Sequence, residues 1–389
     1  MRQFGAAHTG AQTVSQDFLR QLPSLSNQGR RGWLARIHID PMLLGLLTLL
    51  VGFGLVLLYS AIDGDSTAFS RQAWRMGVAF AALIAAAQVP PRLYQYWSPV
   101  IYFAGLALLI LVIFFGVEAK GSRRWLEIPG VLRFQPSEVM KLVLPMAVAW
   151  YFSNRSLPPS LRYTLYSLLI VMLPVLTIAV QPDLGTSILV AASGLSILFL
   201  AGVSWRYIGY FVLGAIVLAP TLWVFALKDY QRQRVMTLFD PESDPLGAGW
   251  NIIQSTTAIG SGGVTGKGLM QGSQSYLDFL PEARTDFIIA VVGEELGLVG
   301  VTALLTLYLL IIIRCFYLAN EAGSTFGRLL AGALTITFFV YVFVNIAMVS
   351  GLLPVVGVPL PLVSYGGTSA ITLMTGFGII MSMQSHKAW

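Results

Sequence analysis

Residues 42–62 read MLLGLLTLLVGFGLVLLYSAI, a run without a single charge. At about 1.5 Å per residue, a helix of this length covers the roughly 30 Å hydrocarbon core of a bilayer. Nine further apolar stretches repeat the pattern along the chain, at roughly 73–89, 98–117, 137–153, 164–180, 186–203, 207–227, 287–314, 327–350 and 367–384. Pro145, Pro174 and Pro220 fall inside such stretches, so the edges are set only to within a few residues. The composition agrees: of 389 residues, 56% are hydrophobic and 11% charged, against about 25% charged in soluble domains. Polar side chains are too scarce to cover a soluble enzyme, and the chain is too apolar for disorder. One cysteine, Cys315, excludes a disulfide framework and a multi-thiolate metal site. The three histidines, His8, His38 and His386, lie near the ends and leave chemistry in the core to other residues. The expected fold is an all-α polytopic membrane protein of about ten transmembrane helices. Its longest loop is extracytoplasmic, between the seventh and eighth.

Residues 1–40 are polar and carry five arginines, Arg2, Arg20, Arg30, Arg31 and Arg36. No apolar run precedes a cleavage site there, so the segment reads as a mobile cytoplasmic tail and not as a signal peptide. The transmembrane domain is then 41–389, with its first helix as a retained signal anchor. An even number of spans puts both termini on one side. Basic residues divide evenly between the two faces, but the basic residues opposite the termini sit in two long loops, 118–136 and 228–286. Such loops translocate largely regardless of charge. Both termini are therefore expected in the cytoplasm, and the basic outer loops call for an anionic partner. Structureless loops beyond about 12–15 residues are uncommon. The 228–286 loop carries apolar anchors, Phe239, Trp250, Ile252, Leu269, Tyr276, Phe279 and Leu280, which favours an ordered, functional segment over a linker.

Four polar clusters fall on the outer face. The first holds Lys120, Arg123, Arg124 and Trp125, followed by Arg133, Gln135, Pro136, Ser137 and Glu138. Ser137 has the look of an N-cap, and Glu138 and Lys141 stand three apart on one helix face. Ionisable residues within a membrane are costly and functional by default, although this pair could also simply lock two helices. The second cluster, Gln181-Pro-Asp183-Leu-Gly185-Thr186, places a carboxylate in a tight turn. It can cap the next helix, face a substrate or ion, or do both. The third ends in Glu282-Ala-Arg284-Thr285-Asp286-Phe287, with Glu294 and Glu295 following inside an apolar span and in need of partners. Thr285 or Asp286 could cap that helix; the sharper reading is a carboxylate at the mouth of a basic cavity. The fourth runs from Gly351 to Gly367 through Pro354, Pro359 and Pro361. Non-helical backbone at membrane depth survives only buried in protein or lining a wet cavity, so this is a re-entrant segment that shapes a site.

Two resemblances are excluded by spacing. The stretch from Gly260 to Gly268 lacks a P-loop's first glycine, where Ser261 stands, and its Ser/Thr after Lys267. It also misses the GxGxxG spacing at Thr265, although its amides could still cradle an anion. No histidine and cysteine set exists for a tightly held zinc. What remains is an outward, cationic, partly apolar cavity holding a few acids. Arginine favours phosphate and the bilayer favours a lipid tail, which together point to a lipid phosphate or pyrophosphate. Composition and topology do not separate moving such a lipid from reacting it.

The clusters resemble the SEDS family (shape, elongation, division and sporulation), the RodA/FtsW polymerases. The resemblance covers about 40–385 and rests on RFQPSE at 133–138, QPDLGTS at 181–187, AIGSGG at 258–263, FLPE at 279–282, TDF at 285–287, GEELG at 293–297 and PLPLVSYGG at 359–367. The stretches LPVVGVPLPLVSYGG and GSQSYLDFLPE look more like the elongation-type (RodA-like) members than the division type. Position 284 departs from the family's frequent histidine and is given no catalytic role.

The resemblance implies a peptidoglycan glycosyltransferase of the bacterial inner membrane. It would polymerise lipid II, the undecaprenyl-pyrophosphate disaccharide-pentapeptide, for cell elongation, with inversion at the sugar and the active site outside. Asp286 aligns with the family's essential carboxylate and is expected to act as general base. Lys120, Arg123, Arg124 and Lys267 would hold the pyrophosphate, alone or with a divalent cation such as magnesium or manganese, and with no nucleotide. Gln135, Glu138, Lys141 and Asp183 would line the cavity or position those cations, and the turn from Ser364 to Gly367 would shape its wall. A class B penicillin-binding protein transpeptidase is the partner the family implies, and no nucleic acid is expected. The rival readings are a lipid II flippase with the same cavity, a division-type polymerase, and a scaffold for wall enzymes. No repeat between the two halves supports the flippase's alternating access.

Overall fold

The computed structural model describes residues 37–119, 122–128, 132–225, 229–244, 247–272 and 282–386. Most of the expected tail, residues 1–36, and Tyr276, Phe279 and Leu280 lie outside them. The helices are α1 (Pro41–Ala61), α2 (Ser66–Gln88), α3 (Pro91–Phe115), α4 (Pro136–Ser153), α5 (Leu161–Val180) and α6 (Leu184–Leu200). They continue with α7 (Trp205–Phe225), α8 (Asp229–Phe239), α9 (Ala248–Ser261), α10 (Ile288–Asn320), α11 (Thr325–Val349) and α12 (Thr368–Ser385). Each of the ten apolar stretches falls on one of these helices. Five of them, α1, α3, α5, α10 and α11, are long and apolar enough to cross a membrane by length and composition. α4 falls outside that set because it carries the buried Glu138 and Lys141. It packs against α3, α6 and α11, where its charges are hidden from lipid.

Between helices in a bilayer there is no hydrophobic drive, so close packing of small residues takes its place. Gly378 of α12 lies so close to the Leu83 carbonyl of α2 that any side chain there would overlap it. Met140 of α4 similarly fills the space above Gly105 of α3. The two described ends of the chain meet at one end of the bundle, where the rings of His38 and His386 stack with centroids 3.7 Å apart.

Three features depart from the expected all-α fold and loops. First, the loop at 118–136 contains a small antiparallel sheet of β1 (Val117–Ala119), β2 (Ser122–Ile128) and β3 (Leu132–Phe134), in the order β1-β2-β3. Trp125 pairs with Val117 across the ladder. Second, the described part of the long loop is largely helical, forming α8, a 3-10 turn at Pro241–Ser243, and α9. Ile252 is buried there as an anchor, but Phe239 and Leu269 are exposed. Third, α10 runs to Asn320 and breaks at Gly297, where φ is 62° and ψ is −158°.

That break explains the glycine-rich stretch. A broken helix inside a membrane frees backbone groups that must find partners. Residues 263–268 supply them: Lys267 N donates to Glu294 O at 3.0 Å, Gly268 N to Glu295 O at 2.9 Å, Leu298 N to Gly263 O at 3.0 Å and Val299 N to Val264 O at 3.1 Å. A side chain at Gly266 would overlap the Glu295 carbonyl. The stretch is therefore not an anion cradle, because its Lys267 and Gly268 amides are spent on α10.

Gly297→Ala is expected to destabilise the protein by about 2–5 kcal/mol, combining a backbone region essentially closed to side chains with overpacking. Its new Cβ would overlap Gly266 N and stand 2.7 Å from Val264 O. Thermal unfolding in detergent checks this against Gly45→Ala, a site with nothing within 4 Å that should be neutral.

Candidate active site

A cavity of about 700 Å³ opens where the sheet, the first turns of α4 and α6, α8, the turn before α10, α11 and the re-entrant segment converge. Arg124 and Trp125 come from β2, Gln135 and Glu138 from the head of α4, and Arg234 from α8. Glu282, Thr285 and Asp286 face it from the turn before α10, and Tyr341 from α11. Val355 to Pro359 of the re-entrant segment, then Tyr365, Gly366, Thr368 and Ser369, complete the wall. A larger hollow of about 850 Å³ between α1 and α10 is lined by apolar residues and threonines with no charge, and carries no chemistry.

The second cluster holds the first in place. Asp183 is buried and N-caps α6, accepting from Thr186 N at 3.2 Å. Its carboxylate also accepts from Gln135 Nε2 at 2.9 Å and lies 3.5 Å from Arg124 Nη1. Arg124 Nη2 donates to the Pro182 carbonyl at 3.4 Å, while its Nε is buried with no hydrogen-bond partner. Asp183 thus caps α6 and is not itself among the lining residues; it positions an arginine and a glutamine that face the cavity.

Glu138 lines the cavity, and Lys141 stands behind it. Lys141 Nζ donates to Glu138 Oε1 at 2.6 Å and to Tyr341 Oη at 2.9 Å. The Tyr341 and Ser369 hydroxyls are 3.2 Å apart, and Glu138 Oε2 is buried without a partner. Ser137 does not cap α4: the helix starts at Pro136 with Gln135 at the N-cap position, so Ser137 already lies inside it.

Asp286 reaches the cavity because it is not used as a cap. α10 has Phe287 at its N-cap position with no side-chain cap, and Thr285 Oγ1 donates to Glu282 Oε2 at 2.7 Å instead. Gly357, with φ of 74°, passes the carboxylate so closely that a Cβ there would be 3.5 Å from Asp286 Oδ2. Arg284 turns away, donating from Nε to the Ala61 carbonyl at 3.2 Å.

Four expected binding residues are not among those that line the cavity: Lys141 and Asp183 stand behind its wall, and Lys267 and Ser364 are placed elsewhere. Lys267 is not among the cavity's lining residues; its ammonium lies 2.7 Å from the buried Glu294. Ser364 is buried in the turn, accepting from Leu360 N at 2.8 Å, and its neighbours Tyr365 and Gly366 face the cavity in its stead. Glu295 finds its partner in Ser60, whose hydroxyl donates to it at 2.7 Å, and not in a basic loop. Lys120 lies outside the described residues, as does the side chain of Arg123.

Arg234, Tyr341 and Ser369 lie outside the four polar clusters of the sequence. Tyr341 carried a usable signal, a polar group in an apolar span, whereas Arg234 sits in a loop rich in charges. Among the described residues no three His, Cys, Asp or Glu side chains converge as a metal cluster.

A polytopic helical bundle with a cationic, acid-bearing cavity walled by a re-entrant segment defines the class. A family model for FtsW, RodA and SpoVE, described as cell cycle protein, matches residues 39–388, and the chain belongs to that family. It is 51% identical over 361 residues to the peptidoglycan glycosyltransferase MrdB of Escherichia coli K12, covering 93% of this chain and 97% of that protein. It is 36% identical to a probable peptidoglycan glycosyltransferase FtsW of Geobacter metallireducens, covering 89% and 95%. Among solved structures, it matches a chain from work on structural coordination of polymerization and crosslinking by a peptidoglycan synthase complex. That match has a TM-score of 0.79 at 32% identity and covers 90% and 98% of the two chains. It also matches the rod shape determining protein RodA of Thermus thermophilus with a TM-score of 0.69 at 29% identity, covering 92% and 99%.

Proposed function

We propose that this chain is a peptidoglycan glycosyltransferase that polymerises lipid II into glycan strands in the cavity around Asp286. The observation that carries the reading is that Asp286 and Arg124 face one space, and that Arg124 Nε is buried there without a partner. That two such side chains face one space supports a base and an anion holder acting together.

In the proposed step the Asp286 carboxylate takes the proton of the acceptor's GlcNAc 4-hydroxyl. The oxygen attacks the donor's anomeric carbon from the face opposite the leaving group, forming the new bond as α inverts to β. The bond to undecaprenyl pyrophosphate breaks, and the electron pair leaves on the pyrophosphate. This leaving group needs charge neutralisation and no general acid, so one carboxylate suffices where a typical glycosidase uses two. General base catalysis of this kind contributes about 10²–10⁴-fold. Arg124 and Arg234 line the cavity and would neutralise the pyrophosphate, with Arg123 and Lys120 from the same cluster. The buried Glu138–Lys141 pair and Asp183 act as supports, holding the wall and Arg124. Magnesium takes one or two carboxylates plus substrate phosphates. With Asp286 assigned to the proton, Glu282 also faces the cavity and would help hold such an ion, which would add positive charge at the pyrophosphate.

The same reading places ten helices across the inner membrane, both termini in the cytoplasm and the cavity outside, with residues 1–40 as a cytoplasmic tail and 41–389 as the transmembrane domain. The meeting of His38 and His386 at one end of the bundle supports termini on one side. The higher identity to MrdB than to FtsW, 51% against 36%, supports elongation over division. The match to a chain of a synthase complex that coordinates polymerization and crosslinking supports a class B penicillin-binding protein as partner.

Arg124→Ala is expected to lower kcat/KM for lipid II by about 10–100-fold, the worth of a charge-assisted hydrogen bond. Normal turnover with normal affinity would remove Arg124 from the site. The function itself is tested with the purified chain and its transpeptidase partner in liposomes carrying fluorescent lipid II. Glycan polymer is expected; robust translocation with no polymer would favour the flippase.

A further inference from the structure

Asn345 lies near the C-terminal end of α11, wholly buried, one helical turn after Tyr341. Its Nδ2 donates to two carbonyls, Asp286 O at 2.7 Å and Val358 O at 2.7 Å. Both acceptors belong to cavity-lining residues on different segments: the turn that carries the carboxylate, and the non-helical segment that passes it at Gly357. The amide's oxygen is buried with no partner.

This is an odd arrangement for a residue kept only for packing. A buried acceptor without a partner is unfavourable, and an apolar side chain of the same shape would avoid it. What only a primary amide supplies in that volume is two N–H groups in a fixed fork. Aspartate would set oxygens against two carbonyls, serine would reach with a single donor, and leucine would leave both carbonyls unsatisfied.

We infer that Asn345 is the positioning residue for Asp286: its amide fork ties the carboxylate-bearing turn to the re-entrant segment and so fixes where the base stands in the cavity. The inference rests on the reading of Asp286 as the base. Asn345 is not among the lining residues, so it acts through the backbone of Asp286. The groups assigned to the pyrophosphate, Arg124 and its supports Asp183 and Gln135, hang from β2, α6 and the head of α4, and do not depend on the fork. Loss of the fork should therefore misplace the base and spare substrate binding.

The test is steady-state polymerisation of lipid II by the full chain with its partner, comparing Asn345→Leu, Asn345→Ser and Asn345→Gln. A misplacement of about 1 Å can cost about 100-fold. Asn345→Leu is expected to lower kcat by about that factor, with KM within about threefold of wild type. Asn345→Gln, which keeps both hydrogens on a longer arm, should recover part of the loss. Thr335→Val serves as control: it is equally buried on α11, bonds only to the Ala331 carbonyl of its own helix, and should leave kcat unchanged. Should Asn345→Leu fail to fold, Asn345→Ser carries the same comparison with one donor left. An unchanged kcat in the folded variant, a rise in KM equal to the fall in kcat, or an equal loss in Thr335→Val overturns the inference. Inert Asp286→Asn beside unimpaired Asn345→Leu overturns the inference alone; fully active Asp286→Asn overturns the reading of Asp286, and the inference with it.

Discussion

Lys141→Met is expected to destabilise the protein by about 3–5 kcal/mol, the cost of leaving a buried carboxylate without its partner. Lys141 is 3% exposed and Glu138 is 7% exposed. One oxygen of Glu138 already lacks a hydrogen bond, so the ammonium at 2.6 Å is its main compensation. The same substitution removes the bond from Lys141 to Tyr341, which tethers α4 to α11. Desolvating two charges offsets most of what the pair gains from mutual attraction. The double variant Glu138→Leu with Lys141→Met should accordingly be more stable than Lys141→Met alone, and within about 1–2 kcal/mol of wild type. Unfolding in detergent across the three proteins checks the ordering. A double variant no more stable than the single one would mean that the charges are not energetically coupled. Lys141 holds Glu138 and Tyr341, which line the cavity, so both variants should also lose polymerisation, and the stable double variant would separate loss of function from loss of fold.

Much of this architecture is legible in residue patterns because a bilayer leaves few alternatives. A run such as 42–62 can only be a helix, and an Asp in a tight turn before an apolar run, as at Asp183, offers a cap. The Glu138–Lys141 pair is likewise local, since residues three apart on a helix face one another. What stays hidden is whatever a distant segment decides. Strands β1 to β3 are three to seven residues long in a charged loop, too short for a period to stand out. The glycines from 260 to 268 read as a loop that could hold an anion, because nothing local reveals a broken helix waiting for their amides. Lys267 looks like a free cation until Glu294, 27 positions away, is placed beside it. Asp286 reads as a possible helix cap because its neighbour Thr285 looks like one, and only the turn closed by Glu282 frees it from that task. Tyr341 and Asn345 were passed over for a different reason. Within 327–350 they count as two mildly polar positions in an apolar span, yet they are spaced to share one face and hold both acid systems of the cavity.

The central claim is that Asp286 accepts the proton when the glycan bond forms, and glycan polymerisation from purified lipid II by wild type and Asp286→Asn, with the partner present, tests it most directly. The substitution keeps the shape and the backbone bond to Asn345 while removing the base. The account predicts polymer from the wild type and a fall of at least about 10²-fold in a folded Asp286→Asn protein that still binds lipid II. Equal polymer from both would contradict it and turn attention to Asp183 and Glu138 as the carboxylates that carry the reaction.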